Sequence, residues 1–289
     1  MCKGRCGYKP AIWIDSGIHP RERISTAVGT WMLHELLEND TLHPDLTENL
    51  DWYFLPILNP DGYQYMFQYD KDPRKNRVPN PICGVDNWGI DLNRNFDYNW
   101  NDGNTDPCAA DYRGKAAFSE IESSNVQEFI LARKDNIKLF QTLHSYSQYI
   151  IIPNDDETAK TLAEKATASL ENVHGTKYQI LTETDFQSKH YSYSGDSQRW
   201  AYHNVGIPYA YGMELPPDDI SLGLSGFRLP PENISRAAEE TWAWHEVAAR
   251  HMIEEFSSTE DKKARLLSKE ARDLTQPEEE IKIHPNLIP

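Results

Sequence analysis

His19 and Glu22 stand three residues apart in Gly17-Ile18-His19-Pro20-Arg21-Glu22, directly after the apolar run Ala11-Ile12-Trp13-Ile14-Asp15. An imidazole and a carboxylate on one short loop can both turn toward one metal ion. A catalytic zinc takes three protein ligands and keeps a further position open. His144 follows a second apolar run, Leu139-Phe140-Gln141-Thr142-Leu143, and supplies a candidate third ligand. His-x-x-Glu alone is a common accident. Both positions, however, close predicted strands, where sites sit in open α/β sheets. Glu214 closes a third run, Tyr209-Ala210-Tyr211-Gly212-Met213-Glu214-Leu215. A carboxylate buried there without a role is costly; a strand-end glutamate facing solvent is the ordinary alternative. Arg74, Arg77 and Arg94 crowd an irregular middle stretch. Arg94, in Asp91-Leu92-Asn93-Arg94-Asn95-Phe96, is placed to offer a guanidinium fork to a carboxylate. His34, His43, His174, His245, His251 and His284 have no such partners. Neither His34-Glu35 nor His245-Glu246 continues to the second histidine of a His-Glu-x-x-His zinc helix.

Alternating strands and helices must position these groups. Strands are expected at 11–15, 52–58, 139–143, 149–152, 178–181 and 209–215. A helix over 24–37 carries Ile24, Val28, Trp31, Met32, Leu36 and Leu37 at helical spacing. A second opens at the capping box Ser119-x-x-Glu122. A third covers 156–174 and stops at Gly175, and a fourth covers 235–256. Asn59-Pro60-Asp61-Gly62 reads as a turn. Residues 70–113, rich in Asn, Asp, Pro and Gly, read as a long functional loop region. This pattern implies one α/β domain with a mixed sheet, over residues 1–256. A charged tail follows over 257–289.

The 289 residues are 39% hydrophobic and 26% charged, an ordinary globular balance. The formal net charge is −16 and the sequence pI is near 5.0. Nucleic acid is therefore excluded as a general partner, since phosphate backbones need a basic surface. No apolar run reaches the length of a membrane span. Met1-Cys2-Lys3-Gly4-Arg5-Cys6 lacks the apolar stretch of a signal peptide. Cys2, Cys6, Cys83 and Cys108 are an even count in two local pairs, which fits two disulfides and an oxidising compartment. Four free thiols in the cytosol are the alternative. A four-cysteine zinc site is not supported, because the spacings form no pair of short ligand knuckles. Asn39-Asp40-Thr41 and Asn233-Ile234-Ser235 are glycosylation sequons.

From about Lys9 to Phe256 the chain resembles the zinc carboxypeptidase family typified by carboxypeptidases A and B. The resemblance rests on eight motifs in order: His19-x-Arg21-Glu22, Leu58-Asn59-Pro60-Asp61-Gly62-Tyr63, Arg74-Lys75-Asn76-Arg77, Gly89-Ile90-Asp91-Leu92-Asn93-Arg94-Asn95, Tyr112-Arg113-Gly114, His144-Ser145-Tyr146-Ser147-Gln148, Tyr191 to Trp200, and Met213-Glu214-Leu215. It implies one Zn2+ per chain held by His19, Glu22 and His144, with Glu214 as general base and Arg77 as oxyanion stabiliser. It also implies that Asn93 and Arg94 clamp the substrate's terminal carboxylate and that Tyr191 closes over the bound residue. Arg21, Arg74 and Tyr146 match substrate-binding positions nearby, and Gln198 falls at the floor of the side-chain pocket. Asp196 beside it reads as solvated. Cys83 and Cys108 match a family disulfide, and Cys2 and Cys6 are left as a second pair. The implied fold is a mixed, mainly parallel twisted sheet with helices on both faces. The implied product is a secreted monomeric peptidase that removes single residues from peptide and protein C-termini.

Two departures stand out. The commoner motif reads His-Ala-Arg-Glu-Trp, whereas Pro20 and Arg23 occupy those places here. The family's catalytic domain also begins earlier, so the sheet is expected to lack its first strands and a helix, and the chain to be poorly stable. Two alternatives to the peptidase are a related zinc deacylase of small N-acyl amino acids and an inactive binding homologue. The Tyr191 region and the carboxylate clamp favour a peptide substrate over the deacylase, and the intact His19, Glu22, His144 and Glu214 argue against lost chemistry, while the expected lack of the first strands leaves the binding homologue open.

Overall fold

The computed structural model describes residues 9–185 and 194–257. Six strands form one sheet: β1 (Ala11–Ser16), β2 (Asp51–Leu55), β3 (Ile137–Ser145), β4 (Tyr149–Ile151), β5 (Gln179–Leu181) and β6 (Tyr209–Leu215). Their order is β2-β1-β3-β6-β4-β5. All neighbours run parallel except β4 and β6. The central strands β1, β3 and β6 are buried on both faces, so they read as near-continuous apolar runs without alternation.

Helices cover both faces. Helix α1 (Arg23–Glu38) follows β1, and a short α2 (Pro44–Asn49) leads into β2. Next come α3 (Pro60–Tyr69) and α4 (Ile121–Leu131), then α5 (Glu157–His174), a single-turn α6 (Ser197–Trp200) and α7 (Asn233–Phe256). Helices α1, α5 and α7 pack on one face, where Val28, Met32, Ala163, Leu170, Trp244 and Met252 meet Ile14, Leu143 and Tyr211. On the other face Val126 and Ile130 of α4, with Leu92, Phe96 and Trp200, cover Trp13, Phe140 and Ala210. Each fully buried apolar side chain contributes about 1.5–3 kcal/mol. Exposed ion pairs such as Arg250–Asp45 contribute about 0–1 kcal/mol. The two apolar layers therefore hold the sheet, and the surface charges do not. Strand β2 lies at the sheet's edge, beside an apolar groove of about 650 Å³ lined by Trp52, Phe54 and Ile121 among others.

Several sequence expectations need revision. Asn59-Pro60-Asp61-Gly62 is the start of α3 and not a free turn. Asn59 Oδ1 caps the helix by accepting Gly62 N–H at 2.9 Å, and Pro60 takes the first helical position, where its missing N–H costs nothing. The Ser119-x-x-Glu122 box does not form. The helix begins at Ile121, no side chain caps it, and Ser119 Oγ turns to Glu120 instead. Strand β2 ends at Leu55 because Pro56 follows it. The helix over 157–174 has the expected ends: Asp156 accepts Thr158 and Ala159 N–H, and Gly175 takes the left-handed position. Cys2, Cys6 and the tail from 258 onward lie outside the described residues.

Cys83 and Cys108 form a disulfide, which closes a loop of sequence separation 25. That loop contains Asp91 to Arg94. Closing a loop of this size stabilises a fold by roughly 3 kcal/mol. Replacing both cysteines by serine is expected to lower the unfolding free energy by about that amount. Denaturant melts of both proteins measure it, and an unchanged midpoint contradicts it.

Candidate active site

Strands β1, β3 and β6 end level with one another, and the site is built where they end. Ser16 of β1 is in register with Leu143, and His144 is in register with Glu214 of β6. The chain leaving β1 turns at Gly17 and delivers His19. This turn is clamped from the side by Asn59, whose Nδ2 donates to Ile18 O at 3.2 Å. A Cβ at Gly62 would lie 2.5 Å from Pro20 Cγ, so only glycine lets the start of α3 approach the ligand loop. This gives the Asn59-Pro60-Asp61-Gly62 motif its purpose.

His19, Glu22 and His144 form a buried cluster whose ligand atoms all lie within 4.8 Å of one another. Glu22 Oε1 is 2.7 Å from His19 Nδ1, and its Oε2 is 3.0 Å from His144 Nδ1. Ser145 N–H also donates to Oε2 at 3.2 Å. Burial alone would raise the pKa of Glu22, but His19 and His144 together hold it well below the carboxylate range. Burial also opposes charge on His144, yet Glu22 outweighs it and lifts that imidazole to about 9 in the protein alone. Two imidazoles and a carboxylate converging from separate elements match the donor set of a catalytic zinc site. The outer nitrogens are engaged too, with His19 Nε2 3.0 Å from Asp91 Oδ1. Such outer partners fix ring orientation in metal sites.

The other expected residues divide into three groups. Glu214, Asn93, Arg94 and Arg74 surround the cluster. Glu214 faces His144 from the next strand, and burial pushes its carboxyl up to about 7, although His144, Arg74 and Arg94 pull it down. Asn93 Nδ2 is 3.4 Å from His144 Nε2, and Arg94 Nη1 donates to Asn93 O at 2.7 Å. Arg74 Nε donates to Asp91 Oδ2 at 2.8 Å, while its Nη1 lies 3.4 Å from His19 Nδ1 and 3.9 Å from Glu22 Oε1. Burial would raise Asp91, but Arg74 and His19 keep it well below the carboxylate range.

A second group lies at the rim. Arg21 stands 4.6 Å over the Phe227 ring, and the same ring meets Tyr146 edge-on at 5.0 Å. Tyr146 OH donates to Gly223 O at 2.8 Å. Burial and the charge of Arg74 lower the pKa of Arg21. Gln198 is buried against Gly212, its Nε2 3.2 Å from where a Cβ would stand, so glycine on β6 makes room for the amide.

Two readings are corrected. Arg77 does not join the cluster: its guanidinium lies 3.8 Å over the Tyr65 ring and donates to Val85 O at 2.6 Å. The intervening Asn76 is locked inward by Glu120, which turns Arg77 outward and leaves Arg74 facing the site. Asp196 is not solvated. It is fully buried, accepts Arg199 N–H at 3.0 Å and pairs with the Arg199 guanidinium at 3.1 Å. Tyr191 lies outside the described residues. The sequence reading assigned no role to Asp91 or Asp15. Asp15 carried a usable signal, as a carboxylate ending an otherwise apolar strand; burial raises its pKa to about 6 against hydrogen bonds from Trp13 and Thr142.

Residues 5–244 match the zinc carboxypeptidase family model. A zinc carboxypeptidase of Simulium vittatum is 38% identical over 247 residues, 80% of this chain and 77% of that protein. Carboxypeptidase B of Astacus astacus is 37% identical over 260 residues, 86% and 83% of the two chains. The chain spans 63% of carboxypeptidase O of Bos taurus, at 38% identity over 81% of its own length. Among solved structures, bovine thrombin-activatable fibrinolysis inhibitor in complex with tick carboxypeptidase inhibitor superposes with a TM-score of 0.75. That pair is 30% identical over 85% of this chain and 83% of the other. The parallel strand ends and the buried His-Glu-His cluster thus define a metallopeptidase of the α/β class. The chain belongs to the zinc carboxypeptidase family, whose metal is Zn2+.

One zinc per chain is expected. Because zinc binds only the folded protein, chelation should lower Tm, and zinc at 100 times its Kd should restore about 2.7 kcal/mol. In His144→Ala the stoichiometry should fall toward zero. Full zinc occupancy in that variant, measured by elemental analysis after dialysis, contradicts the ligand set.

Proposed function

We propose that the chain hydrolyses the C-terminal peptide bond of peptides and proteins, releasing single amino acids, with Glu214 as general base. What supports this is the position of Glu214, in register with His144 on the neighbouring strand and beside the His-Glu-His cluster, where burial raises its carboxyl above the usual range. When bound, zinc polarises the scissile carbonyl and lowers the pKa of water to about 7.

The protein's own groups account for the remaining chemistry. Glu214 takes the proton of the attacking water and passes it to the leaving amine, the double task of a base whose pKa lies near the working pH. Arg94 with Asn93 holds the free carboxylate of the substrate, which restricts cleavage to chain ends because an internal residue has no such anion. Arg74 stabilises the oxyanion that forms at the cleaved carbonyl, the role that sequence resemblance gives to Arg77. It is the guanidinium beside the ligand set, and one well-placed donor is worth about 3–4 kcal/mol. Arg21, Tyr146 and Phe227 form the wall for the preceding residues of the substrate. The Cys83–Cys108 disulfide supports an extracellular site of action.

Arg74→Ala should lower kcat by roughly 100-fold or more while Arg77→Ala stays within threefold of wild type. The opposite ranking would return the oxyanion role to Arg77. Glu214→Gln should abolish turnover and leave zinc content unchanged. The pH profile follows from the sign of the shift: the base form exists above its pKa, so kcat/KM rises with pH and then levels off. Zinc's charge draws that limb below the value of about 7 that the protein alone sets. A kcat/KM with no rising limb anywhere between about pH 4 and 8, in stopped-assay measurements, contradicts the assignment.

Side-chain preference follows from the pocket floor. Among the described residues the buried Oε1 of Gln198 has no hydrogen-bond partner, and the nearby carboxylate of Asp196 is committed to Arg199. A neutral amide cannot offset the desolvation of a buried lysine or arginine. The expected preference is broad or polar-neutral. Comparing kcat/KM for peptides ending in Lys, Phe, Gln and Glu tests it. A Lys preference of about 100-fold or more, roughly 3 kcal/mol in transition-state binding, rejects it.

A further inference from the structure

His19 and His144 both turn Nδ1 toward Glu22 and the metal position. Each ring must then carry its proton on Nε2 and find an acceptor for it. For His19 the acceptor is Asp91 Oδ1 at 3.0 Å. Among the described residues, two side-chain atoms stand within hydrogen-bond reach of His144 Nε2, Thr142 Oγ1 at 3.2 Å and Asn93 Nδ2 at 3.4 Å. The Asn93 amide is oriented by Ser197, whose N–H donates to Oδ1 at 3.0 Å, so the end facing His144 is the NH2 group. That end can only donate, which leaves Thr142 as the acceptor.

Thr142 has one hydroxyl proton, and it points to Asp15 Oδ1 at 2.7 Å. Asp15 Oδ2 accepts the indole N–H of Trp13 at 2.7 Å. Indole is a donor only, so that end of the chain cannot reverse. Asp15 and Thr142 are register partners on the neighbouring strands β1 and β3, and both are buried.

We propose that Asp15, acting through Thr142, is the positioning carboxylate of His144, the counterpart of Asp91 for His19. The proposal rests on the zinc reading of the site. Both hydrogen bonds of Asp15 are received, which leaves the Thr142 oxygen open to receive the Nε2 proton of His144. The ring is thereby held with Nδ1 toward the metal. Asp15→Asn carries a sharper consequence than a lost bond. Trp13 needs an acceptor, so the amide oxygen would face the indole and the NH2 would face Thr142. The Thr142 proton would then lose its acceptor, and the nitrogen beside it that could receive it is His144 Nε2, where metal binding through Nδ1 requires a proton. The chain would run backward and oppose the metal.

The test is zinc affinity, measured by competition against a chromophoric chelator on the full chain, with melting of each chelated protein alongside. Thr142→Val, nearly isosteric, should weaken zinc by ~10–100-fold, the range for lost outer partners. Thr142→Ser should stay within about threefold of wild type, since it keeps the hydroxyl. Asp15→Asn should bind zinc more weakly than Thr142→Val, and adding Thr142→Val to it should recover affinity to the Thr142→Val level. The chelated Thr142→Val protein should melt within a few degrees of wild type. Asp15→Asn with wild-type affinity, or a double variant weaker than Asp15→Asn alone, overturns the proposal. If Asp15→Asn does not fold, the Thr142 pair decides alone: equal affinity of the Val and Ser variants overturns it. A wild-type chain that takes up no zinc overturns the site reading itself. Wild-type uptake with indifferent variants overturns only the positioning.

Discussion

Everything at this site depends on the Glu22 carboxylate lying between two histidines, His19 on the loop that leaves β1 and His144 on β3. Its oxygens are 2.7 Å and 3.0 Å from the two Nδ1 atoms, a fit that tolerates little relative movement of β1 and β3. Those strands are adjacent, parallel and in register to their ends. Parallel packing is what makes the arrangement possible, because it brings several carboxyl ends to one edge with loops free to carry function. The two apolar layers keep that register fixed from both sides.

Under the proposed function, a protein of net charge −16 must bind an anionic chain end. The global field repels such a substrate, so recognition must be local. Arg74, Arg94 and Arg21 line the same edge of the sheet. Arg74 is held by Asp91, which also serves His19. One buried carboxylate thus aligns a metal ligand and a guanidinium at once. Removing Asp91 would take the nearest carboxylate from the half-buried Arg74 guanidinium and the outer partner from His19 at the same time.

The central strands were legible because they are buried on both faces and read as near-continuous apolar runs. His19 and His144 stood out because they end or follow those runs, and Glu22 because it shares the loop of His19; the structure brings these three together. What escaped the sequence was direction. Arg74 and Arg77 sit three apart in one irregular stretch, and only the contact of Asn76 with Glu120 decides which faces inward. Asp196 read as exposed because its partner Arg199 could as well have been solvated. Asn59-Pro60-Asp61-Gly62 carries the composition of a turn, and its role as a helix start pressed against Pro20 exists only in three dimensions. The bond from Thr142 to Asp15 spans 127 residues, and no local pattern announces it.

The measurement that tests this account most directly is X-ray absorption at the zinc edge of the loaded protein. It should show two imidazole nitrogens at ~2.0–2.1 Å with the remaining neighbours all oxygen at ~2.0–2.2 Å. A sulfur neighbour near ~2.3 Å, or a single imidazole, would contradict a metal held by His19, Glu22 and His144.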